Sequence, residues 1–258
     1  DQNREVRREV WKLRMDKMME KRDEFNKLFD ELKDIRIQIA KNAGFDNYRD
    51  YMHQAKGRFS YSPEDIMKFH DAVEKEVVPF LINFTEERKN ILKIDSVKPW
   101  DTSVDLDGKV LKPFDKIDEF IDKGIEILHI IKPEFGEKLN MMKNSEFLDL
   151  ENRKGKAPGG YNYPLQETGA PFIFMNAVGL HRNVVTLLHE AGHAMHTFAM
   201  KNIKLDPYKD TPSEVAELGS MAMEFLSMDH WDKYYSDAND LKKAKRDQFK
   251  DAIGFLPW

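Results

Sequence analysis

Five consecutive residues, His189-Glu190-Ala191-Gly192-His193, have the types and spacing of a metal-dependent hydrolytic site. On an α-helix, residues four apart lie one above the other, so both imidazoles can present a nitrogen to the same ion. Glu190 lies about 100° around the helix from His189, where its carboxylate can take a proton from a water molecule at that ion. The pattern therefore predicts a helix with one zinc ion, held by His189 and His193, and Glu190 as general base.

A third ligand must come from elsewhere in the chain. Metzincins would require Gly at position 196 and His at position 199, but the chain has His196 and Ala199, which excludes that class. Other zinc peptidases take a carboxylate from the following helix, and Glu217 lies one loop after the motif helix. Because Glu214 and Glu224 can share a helix face with Glu217, the spacing alone leaves all three open.

Other polar residues near the motif have weaker claims. His196 follows His193 by three residues, and we expect it to pack beneath the site instead of binding the metal. Glu224 could accept the ring N–H of a liganding histidine or form an ordinary ion pair. The remaining histidines have no partner at ligand spacing and are interpreted as structural; they are His53, His70, His129, His181 and His230.

Composition excludes several classes of protein. The 46 acidic and 41 basic side chains give a net charge of −5, which argues against nucleic acid as a partner. There is no cysteine, so any metal must be held by His, Asp or Glu. No stretch approaches the roughly 18 consecutive apolar residues of a membrane span, and the first residues are charged. We therefore expect no membrane partner and a cytoplasmic location.

Helical periodicity runs through most of the sequence, and we predict a mainly α protein with a small β-sheet beside the motif helix. The segment Asn152–Pro164, with its glycines, prolines and cations, is predicted as loop. The apolar run from Pro171 to Asn176 is the best strand candidate, either in the core or at a sheet edge that holds a peptide by main-chain hydrogen bonds. Predicted helices cover Arg4–Ala43 as one or two helices, Ser62 onward with a bend near Pro79, Phe114–Ile131, His181–Lys201 and Pro212–Tyr235.

Several stretches together resemble the M3 family of zinc oligopeptidases, closest to its oligoendopeptidase F branch. They occur in the family's order and span most of the chain: Ala40–Tyr48, Lys98–Asp101, Arg153–Tyr161, Thr186–His196 and Pro212–Met221. The resemblance implies a zincin-like helical metallopeptidase with an enclosed channel. It also implies that His189, His193 and Glu217 bind zinc, and that Glu190 is the general base.

The resemblance also shapes what we expect of the whole chain. We expect residues 1–145 to form one wall of a substrate channel and residues 146–258 to form the catalytic region, in one continuous domain that is truncated at both ends. The family keeps a carbonyl-polarising His and Tyr beyond the point that matches Trp258. Nothing in the spacing of Tyr161, Tyr163, Tyr234 or Tyr235 directs a hydroxyl at the metal. We therefore expect this chain alone to bind zinc but to hydrolyse peptides weakly.

The sequence thus predicts a zinc-dependent endopeptidase that cleaves internal bonds of oligopeptides, its expected partners. Two alternatives stay open. A metallocarboxypeptidase would need a carboxylate-binding arginine, for which Arg182 is nearest in sequence to the motif. A helical piece that binds zinc or peptide without turnover is the other. The cations Arg153, Lys154 and Lys156 are interpreted as a solvated loop, with a role in holding substrate as the alternative, and the sequence assigns no oligomeric state.

Overall fold

The computed structural model describes residues 1–165 and 167–257, and this part of the chain is mainly α-helical, as predicted. One small sheet of three strands accompanies the helices. None of the described helices is long and apolar enough to cross a membrane. The elements are α1 (Arg4–Met19), α2 (Arg22–Asn42), α3 (Tyr48–Ala55), α4 (Pro63–Ala72), α5 (Val78–Leu92), α6 (Ile117–Ile131), α7 (Pro133–Asn144), β1 (Leu148–Glu151), β2 (Tyr161–Leu165), β3 (Ala170–Ala177), α8 (His181–Met200), α9 (Ser213–Ser227) and α10 (Ala238–Phe255).

Contacts divide the chain into two units, Asp1–Lys109 with the chain end from Lys250, and Val110–Phe249. The predicted boundary between residues 145 and 146 concerned functional roles, which this division does not test. In the first unit, α4 begins at a capping box formed by Ser62 and Asp65. A π-helical turn at Val73–Val77 precedes Pro79 in the first turn of α5. The predicted bend is therefore a widened turn ahead of a proline, which has no backbone N–H to continue the helix.

The carboxylate of Asp101 ties α1 to a 3₁₀ turn at Pro99–Asp101 within the first unit. Asp101 is fully buried and accepts hydrogen bonds from Arg4 at 2.9 and 3.0 Å and from Arg7 at 3.1 Å. The backbone N–H of Lys98 donates to it at 3.0 Å. The hydrogen bond from Arg4 is the largest cause that lowers the pKa of Asp101 to about 2. This network links residues nearly one hundred positions apart in sequence.

We expect Asp101→Asn to lower the free energy of unfolding by about 3 kcal/mol, because it leaves two arginines without their buried counter-charge. Urea unfolding at pH 7 measures the change, with Asp71→Asn at an exposed position of α4 as control, expected within about 0.5 kcal/mol of wild type. Since folding lowers the pKa of Asp101, its stabilisation is present above about pH 4 and lost as the pH falls towards 2. Equal stability of the two variants would contradict this role.

The second unit contains the sheet and the motif helix. Strand β3 lies in the middle of the sheet, parallel to β1 and antiparallel to β2. The predicted strand at Pro171–Asn176 is confirmed, but because β3 is paired on both sides it is a core strand and not an edge. The loop predicted for Asn152–Pro164 was wrong at its end, where Tyr161–Leu165 form the edge strand β2. Its mostly exposed side chains gave no apolar alternation to signal a strand.

The two predicted helices around the motif also form, with one difference. Helix α8 covers His181–Met200, close to the predicted range, and buries Val185, Leu188 and Met195. Helix α9 ends at Ser227, and a 3₁₀ segment at Met228–Lys233 continues it. The helix predicted to reach Tyr235 is therefore shorter. Trp231 of the 3₁₀ segment is fully buried and donates to Ser227 Oγ at 3.1 Å, an arrangement outside regular helical hydrogen bonding.

His181 is structural, as interpreted from the sequence. Its Nδ1 lies 2.6 Å from the hydroxyl of Tyr235, and its Nε2 is buried without a hydrogen-bond partner among the described residues. Burial is the main cause that lowers the pKa of His181 to about 4. The folded protein therefore holds this imidazole neutral where an exposed one would take up a proton.

The burial of His181 predicts that the folded protein loses stability in acid because of this one residue. Between about pH 6.5 and pH 4 the unfolded chain binds a proton at His181 that the folded chain does not, so stability falls as the pH drops through that window. The full difference is of the order of 3 kcal/mol. We expect His181→Asn to lose this component in urea unfolding at pH 7 and pH 4.5, whereas His70→Asn, at an exposed position, keeps it. The same pH dependence in His181→Asn and wild type would contradict it.

Candidate metal centre

Three side chains predicted as ligands converge between α8 and α9. His189 and His193 lie one turn apart on α8, with ring centroids separated by 4.8 Å. Glu217 of α9 approaches both, with its Oε2 3.2 Å from His189 Nε2 and its Oε1 3.7 Å from His193 Nε2. One ligand atom from each residue fits in a group whose members all lie within 4.8 Å of one another. Helical spacing left Glu214, Glu217 and Glu224 as candidates for the third ligand, and Glu217 is the one that joins this group.

The close approach of α9 to α8 brings Glu217 to the histidines. A Cβ added at Gly192 would lie 2.7 Å from Ser220 Cα and 3.1 Å from the carbonyl oxygen of Gly219, so only glycine fits here. Ser220 is fully buried at this crossing, and its hydroxyl donates to Glu217 Oε2 at 3.2 Å. The glycine inside the motif is therefore what lets the helix with the carboxylate pack against the helix with the histidines.

Glu224 occupies the opposite side of His189 from Glu217. Its Oε1 lies 2.6 Å from His189 Nδ1, and its Oε2 accepts a hydrogen bond from the side-chain amide of Gln248. Both Glu224 and Gln248 are buried. A carboxylate at Nδ1 fixes that nitrogen as the N–H and leaves Nε2 as the acceptor that faces Glu217. Gln248 was missed by sequence analysis, because it lies in a charged helix 24 residues from Glu224.

Glu190 is only 6% exposed and lies beside the edge strand. Its carboxylate accepts a hydrogen bond from the backbone N–H of Asn162 in β2. Its Oε2 is buried and has no hydrogen-bond partner among the described residues, and the same holds for Asn162 Nδ2. Both residues line a cavity of about 410 Å³ that also contains His189, His193 and Glu217. Sequence analysis gave no signal for Asn162, whose role depends on β2 lying next to α8.

The carboxylates and the burial of the site shift its proton equilibria. Burial raises the pKa of Glu190, and the negative charge of Glu217 adds to the effect. Burial and the nearby His189 lower the pKa of His193. For His189, burial acts downwards, but the hydrogen bond to Glu224 and the surrounding carboxylates outweigh it and raise the pKa. Three carboxylates around two imidazoles make the site favourable for a cation.

The cationic loop before β2 is built differently from the solvated loop that we predicted. Arg153 forms a surface pair with Asp149 at 2.6 Å, but the side chain of Lys156 is only 1% exposed. Lys156 donates to the carbonyl oxygens of Asp149, Glu151 and Met175 at 2.6–2.9 Å, which satisfies its buried charge. The side-chain amide of Asn176 donates to the carbonyl oxygens of Ala157 and Gly159. These bonds hold the start of β2 beside α8.

Other sequence candidates lie outside the group of three. Glu214 is not among its members, and His196 lines the cavity without joining it. Arg182 does not line this cavity. The hydroxyls of Tyr234 and Tyr235 bond to Phe120 and His181, away from the ligand atoms. Tyr161 lines the cavity and stacks on Phe174 at 4.9 Å.

Comparison with known proteins identifies the family of this chain. The family model "Peptidase family M3" matches residues 1–256. The chromosomal oligoendopeptidase F of Lactococcus lactis subsp. cremoris is 29% identical over 178 residues, which cover 68% of this chain and 29% of that protein. Oligopeptidase PepF of Bacillus subtilis (strain 168) is 27% identical over 169 residues, which cover 64% and 24%. This chain thus spans less than a third of the length of these relatives.

Among solved structures, PZ peptidase A with an inhibitor superposes with a TM-score of 0.90 at 29% identity, over 100% of this chain and 45% of the other. The similarity therefore covers the helices and the small sheet around the motif. The family model spans residues 1–256, so the similarity extends far beyond the five residues of the motif. The chain belongs to peptidase family M3.

Proposed function

We propose that this chain carries the zinc centre of an endopeptidase that hydrolyses internal bonds of oligopeptides. The proposal is supported by the convergence of two imidazoles and the Glu217 carboxylate. Beside them lies a buried oxygen of Glu190 that has no hydrogen-bond partner in the described part of the chain. Membership of a family of peptidases supports the same conclusion. The peptidase activity of the longer relatives is part of this proposal for the present chain.

The residues fit a zinc ion. Glu217 Oε2 lies 3.2 Å from His189 Nε2 and Glu217 Oε1 lies 3.7 Å from His193 Nε2. These separations are close to the roughly 3.4 Å expected between tetrahedral ligands about 2.1 Å from one ion. Two imidazoles in the donor set favour zinc over magnesium or calcium, which prefer oxygen ligands. When bound, zinc supplies polarisation of the peptide carbonyl and a lower pKa for a coordinated water molecule.

In this proposal Glu190 moves the proton. The Asn162 backbone N–H donates to its carboxylate, Oε2 has no hydrogen-bond partner among the described residues, and the side chain lines the cavity. The carboxylate would accept a proton from the attacking water molecule and deliver it to the leaving amine nitrogen. Glu224, held by Gln248, would keep the ring of His189 in one orientation and tautomer.

Strand β2 supports a binding mode for the substrate. It pairs with β3 along one side, and Gly160, Tyr161 and Asn162 at its start line the metal cavity. A peptide added along its other side would be held extended by main-chain hydrogen bonds, which demand no particular side chain. Tolerance of many sequences would follow. The restriction to oligopeptides rests on the family resemblance, as do a channel wall at residues 1–145 and a catalytic region at residues 146–258.

One experiment separates endopeptidase from carboxypeptidase. Peptides with an acetylated N-terminus and an amidated C-terminus are incubated with the zinc-loaded chain, and the products are identified by mass spectrometry. We expect internal cleavage that stops on removal of zinc by a chelator. Loss of only the last residue from an unblocked peptide would indicate a carboxypeptidase instead. Zinc binding without any cleavage would favour a non-catalytic zinc-binding role.

The cytoplasmic location stays a prediction.

A further inference from the structure

A second cavity, of about 370 Å³, adjoins the metal cavity. The two cavities share Thr197, Met200 and Lys209 in their linings. The metal cavity contacts β2 at its start, up to Asn162, whereas the second cavity contacts it at its end, at Pro164 and Leu165. A groove therefore follows the edge strand away from the metal ligands.

Lys201 places a positive charge in this second cavity. Among the described residues it has no acidic partner. Its side chain lies against Gly169, where an added Cβ would be 3.0 Å from Lys201 Cε and 3.3 Å from Nζ. Gly169 has a φ of +64°, so glycine both permits the turn and leaves room for the lysine. Lys201 is exposed to solvent, and its ammonium group lies beside Gly169 in the lining of the cavity.

The other charged groups leave this cavity with an excess of positive charge. Lys209 also lines it and is paired with Asp206 at 2.8 Å, but that aspartate is largely exposed. Glu167 is the acidic residue in this lining, and among the described residues it forms no ion pair with either lysine. The remaining lining includes the apolar side chains of Leu165 and Met200. An aliphatic stem that ends in a carboxylate matches this combination of surfaces.

We propose that the cavity around Lys201 is a subsite that binds a carboxylate of the peptide, about three residues from the cleaved bond. The proposal rests on the proposed function. The distance follows from the strand rise of about 3.3 Å per residue between Asn162 and Leu165. A peptide antiparallel to β2 would direct its N-terminal part here and offer an acidic side chain. A parallel peptide would offer an acidic side chain or its C-terminal carboxylate.

Peptide binding tests the subsite without turnover. The background is Glu190→Gln, which stops the proposed proton transfer, and fluorescence anisotropy reports the affinity of labelled peptides of equal length. One peptide has glutamate near one end and an amidated C-terminus, a second has glutamine instead, and a third has glutamine and a free C-terminal carboxylate. We expect one or both carboxylate peptides to bind about 5-fold more tightly than the neutral peptide at low salt. The arm that shows the preference identifies the source of the carboxylate.

Substitutions assign the preference to the lysine. Lys201→Gln should bind all three peptides with the affinity of the neutral one, and Lys201→Arg should keep the preference. Lys204→Gln, which removes an exposed charge outside the cavity, should also keep it. The subsite would be overturned if the Glu190→Gln protein bound all three peptides equally or bound none measurably. It would also be overturned if the preference for carboxylate peptides survived Lys201→Gln. If the wild-type chain cleaves peptides but the carboxylate peptides bind no more tightly than the neutral one, only the subsite is contradicted. If the carboxylate peptides bind more tightly but the wild-type chain cleaves no peptide, only the proposed activity is contradicted.

Discussion

Replacing Glu190 by glutamine is expected to stop peptide hydrolysis while zinc binding is kept. Glutamine has nearly the same shape and can still accept the hydrogen bond from the Asn162 backbone through its carbonyl oxygen. It cannot take a proton from the attacking water molecule. We expect the rate of cleavage to fall at least about 10²-fold, within the 10²–10⁴ range typical of general acid–base catalysis.

The measurement must detect slow hydrolysis, because this chain alone is expected to be weakly active. A quenched fluorescent peptide at high protein concentration, under single-turnover conditions, gives the rate for wild type and variant. Zinc content is measured in the same samples. Glu214→Gln is the matched control, because it makes the same change on α9 outside the ligand group, and it should keep both zinc and rate. A Glu190→Gln protein that cleaves at the wild-type rate would remove Glu190 from the proposed mechanism.

The second large effect concerns the metal itself. We expect Glu217→Gln to weaken zinc binding by more than about 100-fold, because it removes the anionic ligand that approaches both histidines. Glu224→Gln should weaken it by about 10- to 100-fold, since Glu224 acts through the ring of His189. Glu214→Gln should leave the affinity unchanged. Competition with a chromophoric chelator gives the three affinities without any need for activity.

The order of these effects is the test. If Glu224→Gln lost more affinity than Glu217→Gln, the ligand and the positioning residue would have been assigned the wrong way round. If Glu217→Gln bound zinc as wild type does, His189 and His193 would need a different carboxylate partner. Urea unfolding of each variant without zinc shows whether a loss of affinity reflects a loss of folded structure instead of a lost ligand.

The sequence by itself determined the local parts of this protein. Helix periodicity placed His189 and His193 on one face, because residues four apart on a helix lie together whatever surrounds them. The helix that begins after Ser62 and the strand at Pro171–Asn176 follow local sequence signals and were predicted correctly. The absence of cysteine limits the possible metal ligands to His, Asp and Glu, whatever fold the chain adopts.

Helical spacing did not distinguish the carboxylates of α9, whereas the tertiary structure does. Glu214, Glu217 and Glu224 can share a helix face, so the rotation and depth of α9 against α8 decide which one reaches the histidines. That packing is fixed where Gly192 admits Ser220. It directs Glu217 to the Nε2 side of the rings and Glu224 to Nδ1 of His189. The family resemblance implied the first assignment, but spacing alone did not.

Contacts between distant segments account for the residues that sequence analysis missed. Gln248 meets Glu224 only because α10 packs beside α9, and Asn162 reaches Glu190 only because β2 is the edge strand. Lys156 looked like a solvated cation because its sequence neighbours are polar, yet the carbonyl oxygens that bind it come from β1 and β3. A sequence window shows the composition around a residue, whereas burial and partners are set by chain segments that folding brings together from far apart.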